Sequence, residues 1–70
     1  MYSREAVVDR IAELYAESGL TKAAFAEKIG VTEAAAYHYL KKGKRPTTYV
    51  VAQICEAFDV SADWLLFGKN

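Results

Sequence analysis

The sequence predicts an all-α fold, a compact bundle of five short helices in one domain spanning residues 1–70. Three observations carry this. Apolar residues recur at spacings of three and four, as in Val7, Ile11, Leu14 and again in Val50, Ile54, Phe58, and no segment alternates as a strand would. Serine or threonine stands ahead of every such segment, and glycine closes all but the fourth. Finally, 53% of the 70 residues are hydrophobic, which suits a filled core rather than a disordered tail. There is no internal repeat and no low-complexity stretch.

The first helix is expected from about Arg4 to Glu17. Ser3 can cap it, and Glu5 favours the positive end of its dipole. Val7, Val8, Ile11, Leu14 and Tyr15 form its apolar stripe. Ser18-Gly19 ends it, and Leu20 follows as an apolar plug. Thr21 caps a second helix, about Lys22 to Ile29. Thr32 caps a third, from about Glu33 to Lys41 or Lys42, which Gly43 closes. In the KRP turn, Pro46 forces its predecessor out of helical geometry. Thr47 or Thr48 opens the fourth helix, about Tyr49 to Phe58, with Val50, Val51, Ile54, Cys55 and Phe58 as its stripe. Asp59-Val60 is a break without glycine. Ser61 caps the fifth helix, about Ala62 to Phe67, and Gly68 stops it.

The stretch from Lys22 to Lys41, KAAFAEKIGVTEAAAYHYLK, organises the rest. Gly30 sits where the second helix must stop and the chain must turn sharply, a position that needs left-handed backbone. Ala26, four residues earlier, is small enough to let two helices cross closely. Ala36 and Tyr39 are three apart and pack back on the second helix. Glu33, Ala34, Tyr37, His38 and Lys41 are left on or near the outer face. This is the helix-turn-helix pattern, whose second helix enters the DNA major groove.

Composition narrows the functional classes. The formal net charge is zero, against a generic nucleic-acid coat, which would be strongly basic. The charges are segregated, however. Lys41, Lys42, Lys44 and Arg45 cluster after the third helix, whereas Glu5, Asp9, Glu13 and Glu17 form an i, i+4 row along the first. The position of the basic run favours phosphate contact over a merely solvated loop. The single cysteine, Cys55, excludes an internal disulfide and has no partners for a metal site; its apolar setting predicts a buried packing residue. One histidine, no nearby serine or cysteine and no glycine-rich phosphate loop count against an enzyme, and no cofactor is expected. No signal peptide or membrane span is apparent at the N-terminus, so a soluble cytoplasmic protein is expected.

LTKAAFAEKIGVTEAAAYHYLKKGKRP followed by QICEAFDVSADWLLFG resembles the Cro/repressor-type helix-turn-helix family, and in particular the N-terminal DNA-binding domain of phage repressors. The resemblance runs from about Ala6 to Gly68. It implies a lambda repressor-like five-helix domain, double-stranded operator DNA as partner, transcriptional regulation, and a homodimer at least on DNA. It also leaves open that the domain begins a longer repressor.

The same resemblance assigns roles to residues. Lys22 heads the second helix, where many relatives have glutamine, and is expected on a backbone phosphate. The lysine adds charge but loses the acceptor that braces a neighbouring recognition side chain. Thr32, Lys41, Lys42, Lys44 and Arg45 are the other expected phosphate contacts, with Lys42 an extra residue beside the shorter turn of many relatives. Glu33, Ala34, Tyr37 and His38 are expected at the bases. Glutamate can accept from cytosine N4, the alanine methyl can touch a thymine methyl, and histidine can donate to guanine. Tyr37 can also lie against the sugar-phosphate backbone. The competing reading of Glu33 is a residue that only favours its helix N-terminus, and those of His38 are a plain surface residue or a packing one.

The run Trp64-Leu65-Leu66-Phe67 places four large apolar residues on a helix of about two turns. One side can rest on the core through Leu65. Trp64, Leu66 and Phe67 are the expected dimer interface, the alternative being that Trp64 and Leu65 fill the core, Leu66 and Phe67 cover the ends of the first and fourth helices, and the free domain is monomeric. A second functional class keeps the fold but binds a protein, as an antitoxin or anti-repressor would. Zero net charge and a third helix with three alanines and a glutamate support it.

Overall fold

Every helix begins on a side-chain hydroxyl. The structure, a computed structural model, describes residues 2–41 and 43–69. Among them are five helices and no strand: α1 (Arg4–Ser18), α2 (Lys22–Ile29), α3 (Glu33–Lys41), α4 (Thr48–Phe58) and α5 (Ala62–Phe67). The N–H groups of Ala6, Ala24, Ala35, Val50 and Trp64 donate to the hydroxyls of Ser3, Thr21, Thr32, Thr47 and Ser61, at 3.0–3.3 Å. Each cap satisfies one donor that the first turn cannot pair internally, and is worth roughly 1 kcal/mol.

The helix ends show the complementary logic. Gly19, Gly30, Gly43 and Gly68 all adopt left-handed backbone, as does Asp59 with φ +54°. At Asp59 the chain turns without a glycine, and the Val60 N–H returns to the Cys55 carbonyl at 3.1 Å. Two boundaries differ slightly from expectation. α1 runs one residue further, to Ser18, whose hydroxyl donates to the Tyr15 carbonyl and accepts from the Leu20 N–H. α4 starts one residue earlier, because Thr47 rather than Thr48 is the cap. The expected extension of the third helix to Lys42 lies outside the described residues.

The core takes Val7, Ile11 and Leu14 from α1, Phe25, Ala26 and Ile29 from α2, and Ala36 and Tyr39 from α3. Val50 and Ile54 of α4 and Leu65 of α5 complete it. α2 packs on α3 and α4, α1 on α3 and α5, and α4 on α5. The Phe25 ring joins three helices: Tyr15 meets it edge-on at 5.2 Å and Phe58 lies tilted at 5.6 Å. Lys28 of α2 also lies over the Phe58 ring, 5.3 Å from its centre. The radius of gyration, 10.8 Å, matches the ~11 Å expected of a compact chain of this length.

The expected burial of Cys55 needs correction: it is half-buried. α4 turns the Val50–Ile54 line to the core, and Cys55 stands about 100° round the axis from Ile54. Partial burial still pushes its thiol pKa up, because the thiolate would lose solvation.

Asp59 is the one described non-glycine residue in the left-handed region. Asp59→Gly should therefore stabilise the fold by ~0.5–1 kcal/mol, raising the melting temperature by several degrees, whereas the branched Asp59→Val should lower it. Thermal denaturation followed by circular dichroism checks both signs.

Candidate nucleic-acid interface

The turn between α2 and α3 sets the geometry. Gly30 has φ +74°, its N–H reaches the Glu27 carbonyl at 3.2 Å, and the Val31 N–H reaches back to Ala26 at 3.0 Å. These bonds pair carbonyls that α2 would otherwise leave open. Two residues later Thr32 caps α3, so the chain turns from one helix into the next within a few residues. Gln53 of α4 backs the turn: a Cβ on Gly30 would come within 2.6 Å of its amide nitrogen.

With the turn in place, α3 presents two faces. Ala36 and Tyr39 are buried against the bundle, while Glu33, Ala34, Tyr37, His38 and Lys41 are exposed. An open concavity of about 340 Å³ lies on the outer side, lined by Lys22, Glu33, Ala34, Tyr37 and His38. The fold thus brings all four residues expected at the bases together with the lysine at the head of α2. Lys22 Nζ sits 5.5 Å from the centre of the Tyr37 ring, and the His38 ring centre is 6.0 Å from that of Tyr37 with the two planes inclined at 59°. A cation and a carboxylate, Lys22 and Glu33, therefore line the same concavity.

The remaining expected phosphate residues that the structure describes, Thr32, Lys41, Lys44 and Arg45, do not line that concavity. Thr32 is exposed and its hydroxyl serves the cap. Lys41 and Arg45 are exposed, and Lys42 lies outside the described residues. Lys44 is tethered: its N–H donates to the His38 carbonyl at 3.1 Å, and its ammonium lies 5.9 Å from the Tyr39 ring centre. Pro46 is buried and anchors the far end of the loop. The acidic row of α1 is exposed throughout, and only Glu5 has a described ion pair, with Arg4 at 3.8 Å. Its head meets the basic loop, because Glu5 and Asp9 line a notch that Gly43 closes.

At α5 the apolar surface is narrower than expected. Leu65 is fully buried, Trp64 and Leu66 are half-buried against the core, and Phe67 alone of the three expected interface residues is exposed, at 41%. Arg10 of α1 donates to the Leu65 carbonyl at 3.0 Å and so pins the end of α5. Sequence reasoning missed this contact, and nothing local signals it across 55 positions. It also passed over Tyr49, 64% exposed on the first turn of α4, directly after the basic loop. An aromatic residue off the apolar stripe of that helix was the available signal.

Among the described residues, no group of three His, Cys, Asp or Glu side chains could hold a metal ion, and no helix is long and apolar enough to cross a membrane. A helix-turn-helix family model matches residues 11–65, most of the chain. The protein belongs to the helix-turn-helix family. No curated protein matches its sequence significantly. Among solved structures, it is similar to the P22 c2 repressor protein, determined in complex with a synthetic operator. The TM-score is 0.78 at 22% identity, over 90% of this chain and 96% of that one. At that identity the likeness establishes a shared fold, and it extends the helix-turn-helix assignment to the whole five-helix arrangement.

The turn of a helix-turn-helix protein should be intolerant of a β-carbon here. Gly30→Ala is expected to cost ~1–2 kcal/mol through the left-handed backbone, with Gly30→Asn costing less. Urea unfolding of the two variants measures the difference.

Proposed function

We propose that this protein is a sequence-specific DNA-binding transcription regulator, a repressor of the phage or prophage type, that lays α3 in the major groove of a palindromic operator. The observation that carries the reading is the concavity of the outer α3 face, where Glu33, Ala34, Tyr37 and His38 converge beside Lys22. Membership of the helix-turn-helix family supports it, as does the shared fold with a protein called a repressor and solved on an operator.

In this reading, backbone contacts position α3 and its side chains read the bases. Lys22 approaches a phosphate from the head of α2, aided by that helix's unpaired N–H groups. Thr32, Lys41, Lys42, Lys44 and Arg45 follow the phosphates on either side. Glu33 accepts from a cytosine amino group, Ala34 touches a thymine methyl, and His38 donates to a guanine or a phosphate, with Tyr37 assisting. Lys22, lining the same concavity, offsets the repulsion between Glu33 and the phosphates.

Binding to the DNA upstream of the coding region, titrated at two salt concentrations, tests this. Alanine at Lys44 or Arg45 should weaken specific and non-specific binding alike and lower the salt slope by about one unit each. In sequence selection, Glu33→Gln should change the preferred base pair at one position, by ~1–3 kcal/mol. Binding that ignores both salt and sequence would favour the protein-interaction reading, to which the net charge of zero is better suited.

One domain offers only a few side chains to one groove, so recognition is proposed to use two copies one helical turn apart. That spacing is ~34–36 Å, and the longest dimension of the domain is 31 Å, so two copies fit on adjacent half-sites without overlap. Phe67 is the exposed apolar residue proposed to meet its counterpart across the two-fold axis, with Trp64 and Leu66 beneath it. Phe67→Asp should abolish pairing while sparing helicity. Sedimentation with circular dichroism reads both, and an unchanged oligomeric state with normal helicity would remove Phe67 from the interface.

A further inference from the structure

We infer that Lys22 is a positioning residue for Tyr37, so that one side chain couples a phosphate contact to base selection. This deepens the DNA-binding reading above and rests on it. The two residues belong to different helices, α2 and α3, and are 15 positions apart in the chain. The fold brings the Lys22 ammonium to 5.5 Å from the Tyr37 ring centre, within the range of a cation–π attraction. Both line the concavity that holds Glu33, Ala34 and His38.

The chemistry of the pair gives Lys22 two tasks at once. An ammonium carries three N–H donors, and attraction to a ring face is electrostatic rather than a hydrogen bond that consumes one. Lys22 can therefore hold the ring and still donate to a phosphate oxygen. Tyr37 is 39% exposed and its side chain turns about few bonds, so a cation on the ring face adds to what restricts it before DNA arrives. Ordering a reading side chain in advance lowers what must be lost on binding. The His38 ring, 6.0 Å away, flanks the same aromatic and is the third member of the row.

A phosphate drawn to Lys22 then fixes where the ammonium sits, and the ammonium fixes the ring. The α2–α3 turn transmits this faithfully because the Val31 to Ala26 bond and the buried Ala36 hold the two helices in register. Glutamine at position 22 could bond a phosphate but has no charge to offer the ring. Arginine could do both, since its guanidinium stacks on aromatic faces. Lysine here thus supplies a brace of a different chemical kind from an amide.

The experiment compares the parent with Lys22→Gln, Tyr37→Leu, the double variant and Lys22→Arg. All change exposed side chains, and circular dichroism verifies their folds. In the free protein, the ring current of Tyr37 should shift the Lys22 ε-CH₂ proton resonances upfield, and Tyr37→Leu should abolish that shift. On DNA, Lys22→Gln should weaken binding to every sequence. It should also reduce discrimination at the base step nearest Tyr37 by about two- to five-fold, the worth of an exposed cation–π pair. In the Tyr37→Leu background the same change should leave discrimination alone and only weaken binding. Lys22→Arg should retain discrimination. An absent ring-current shift overturns the inference. So does a Lys22→Gln protein that loses equal affinity for all sequences in both backgrounds, since Lys22 would then be a plain phosphate contact. A parent that binds no DNA selectively overturns the functional reading itself and the coupling with it, whereas selective binding with independent effects overturns the coupling alone.

Discussion

The Phe25 ring is the contact on which the remaining architecture hangs. It is wholly buried, and it meets Tyr15 of α1 and Phe58 of α4 at once. A buried aromatic pair adds ~0.5–1.5 kcal/mol beyond its area, a large share for so small a core. More important is what it orients. α2 is held to the bundle by Phe25, and α3 is held to α2 by the Gly30 turn and the Ala26 and Ala36 surfaces. The outward face of α3 is therefore aimed by a ring on the inward face of α2.

Small residues make that aim possible. Ala26 and Ala36 are both buried, so no bulky side chain occupies either position. The volume that a branched residue at position 36 would supply is absent, and Tyr39, buried one turn later, contributes a large ring to the same inner face. The Lys44 ammonium lies over that ring, and its N–H at the same time closes α3 through the His38 carbonyl. Packing and candidate function are thus not separate regions of α3. They are alternate sides of a helix only nine residues long.

Charge follows a similar economy. A net charge of zero conceals a basic segment after α3 and an acidic row on α1, which meet at the notch beside Gly43. Fields from exposed charges fade over ~8–10 Å at ordinary salt, so the local grouping decides what approaches α3, not the sum. Lysines at positions 22, 28 and 44 each lie over an aromatic ring. Their charges are held near the surface rather than free to wander on long stems, which gives a small domain defined positive points without a large positive total.

The sequence by itself determined the helices, their caps and the turn, because these depend on groups three to six residues apart. A hydroxyl at Ser3, Thr21, Thr32, Thr47 or Ser61 bonds an N–H three residues on, and Gly30 is required by its own backbone angle. The apolar periodicity likewise showed which side of α3 turns inward, and with it Glu33, Ala34, Tyr37 and His38 on the other. What no local rule could supply was the partner across helices. Stripe width could not show that Cys55 would be only half-buried, since that depends on which neighbours cover α4. Nor could it show that Trp64 and Leu66 would lie half against the core and leave Phe67 exposed. Lys22 over Tyr37 and Arg10 on the Leu65 carbonyl arise only after five helices have packed, because long-range proximity is set by the whole core and not by any short stretch of chain.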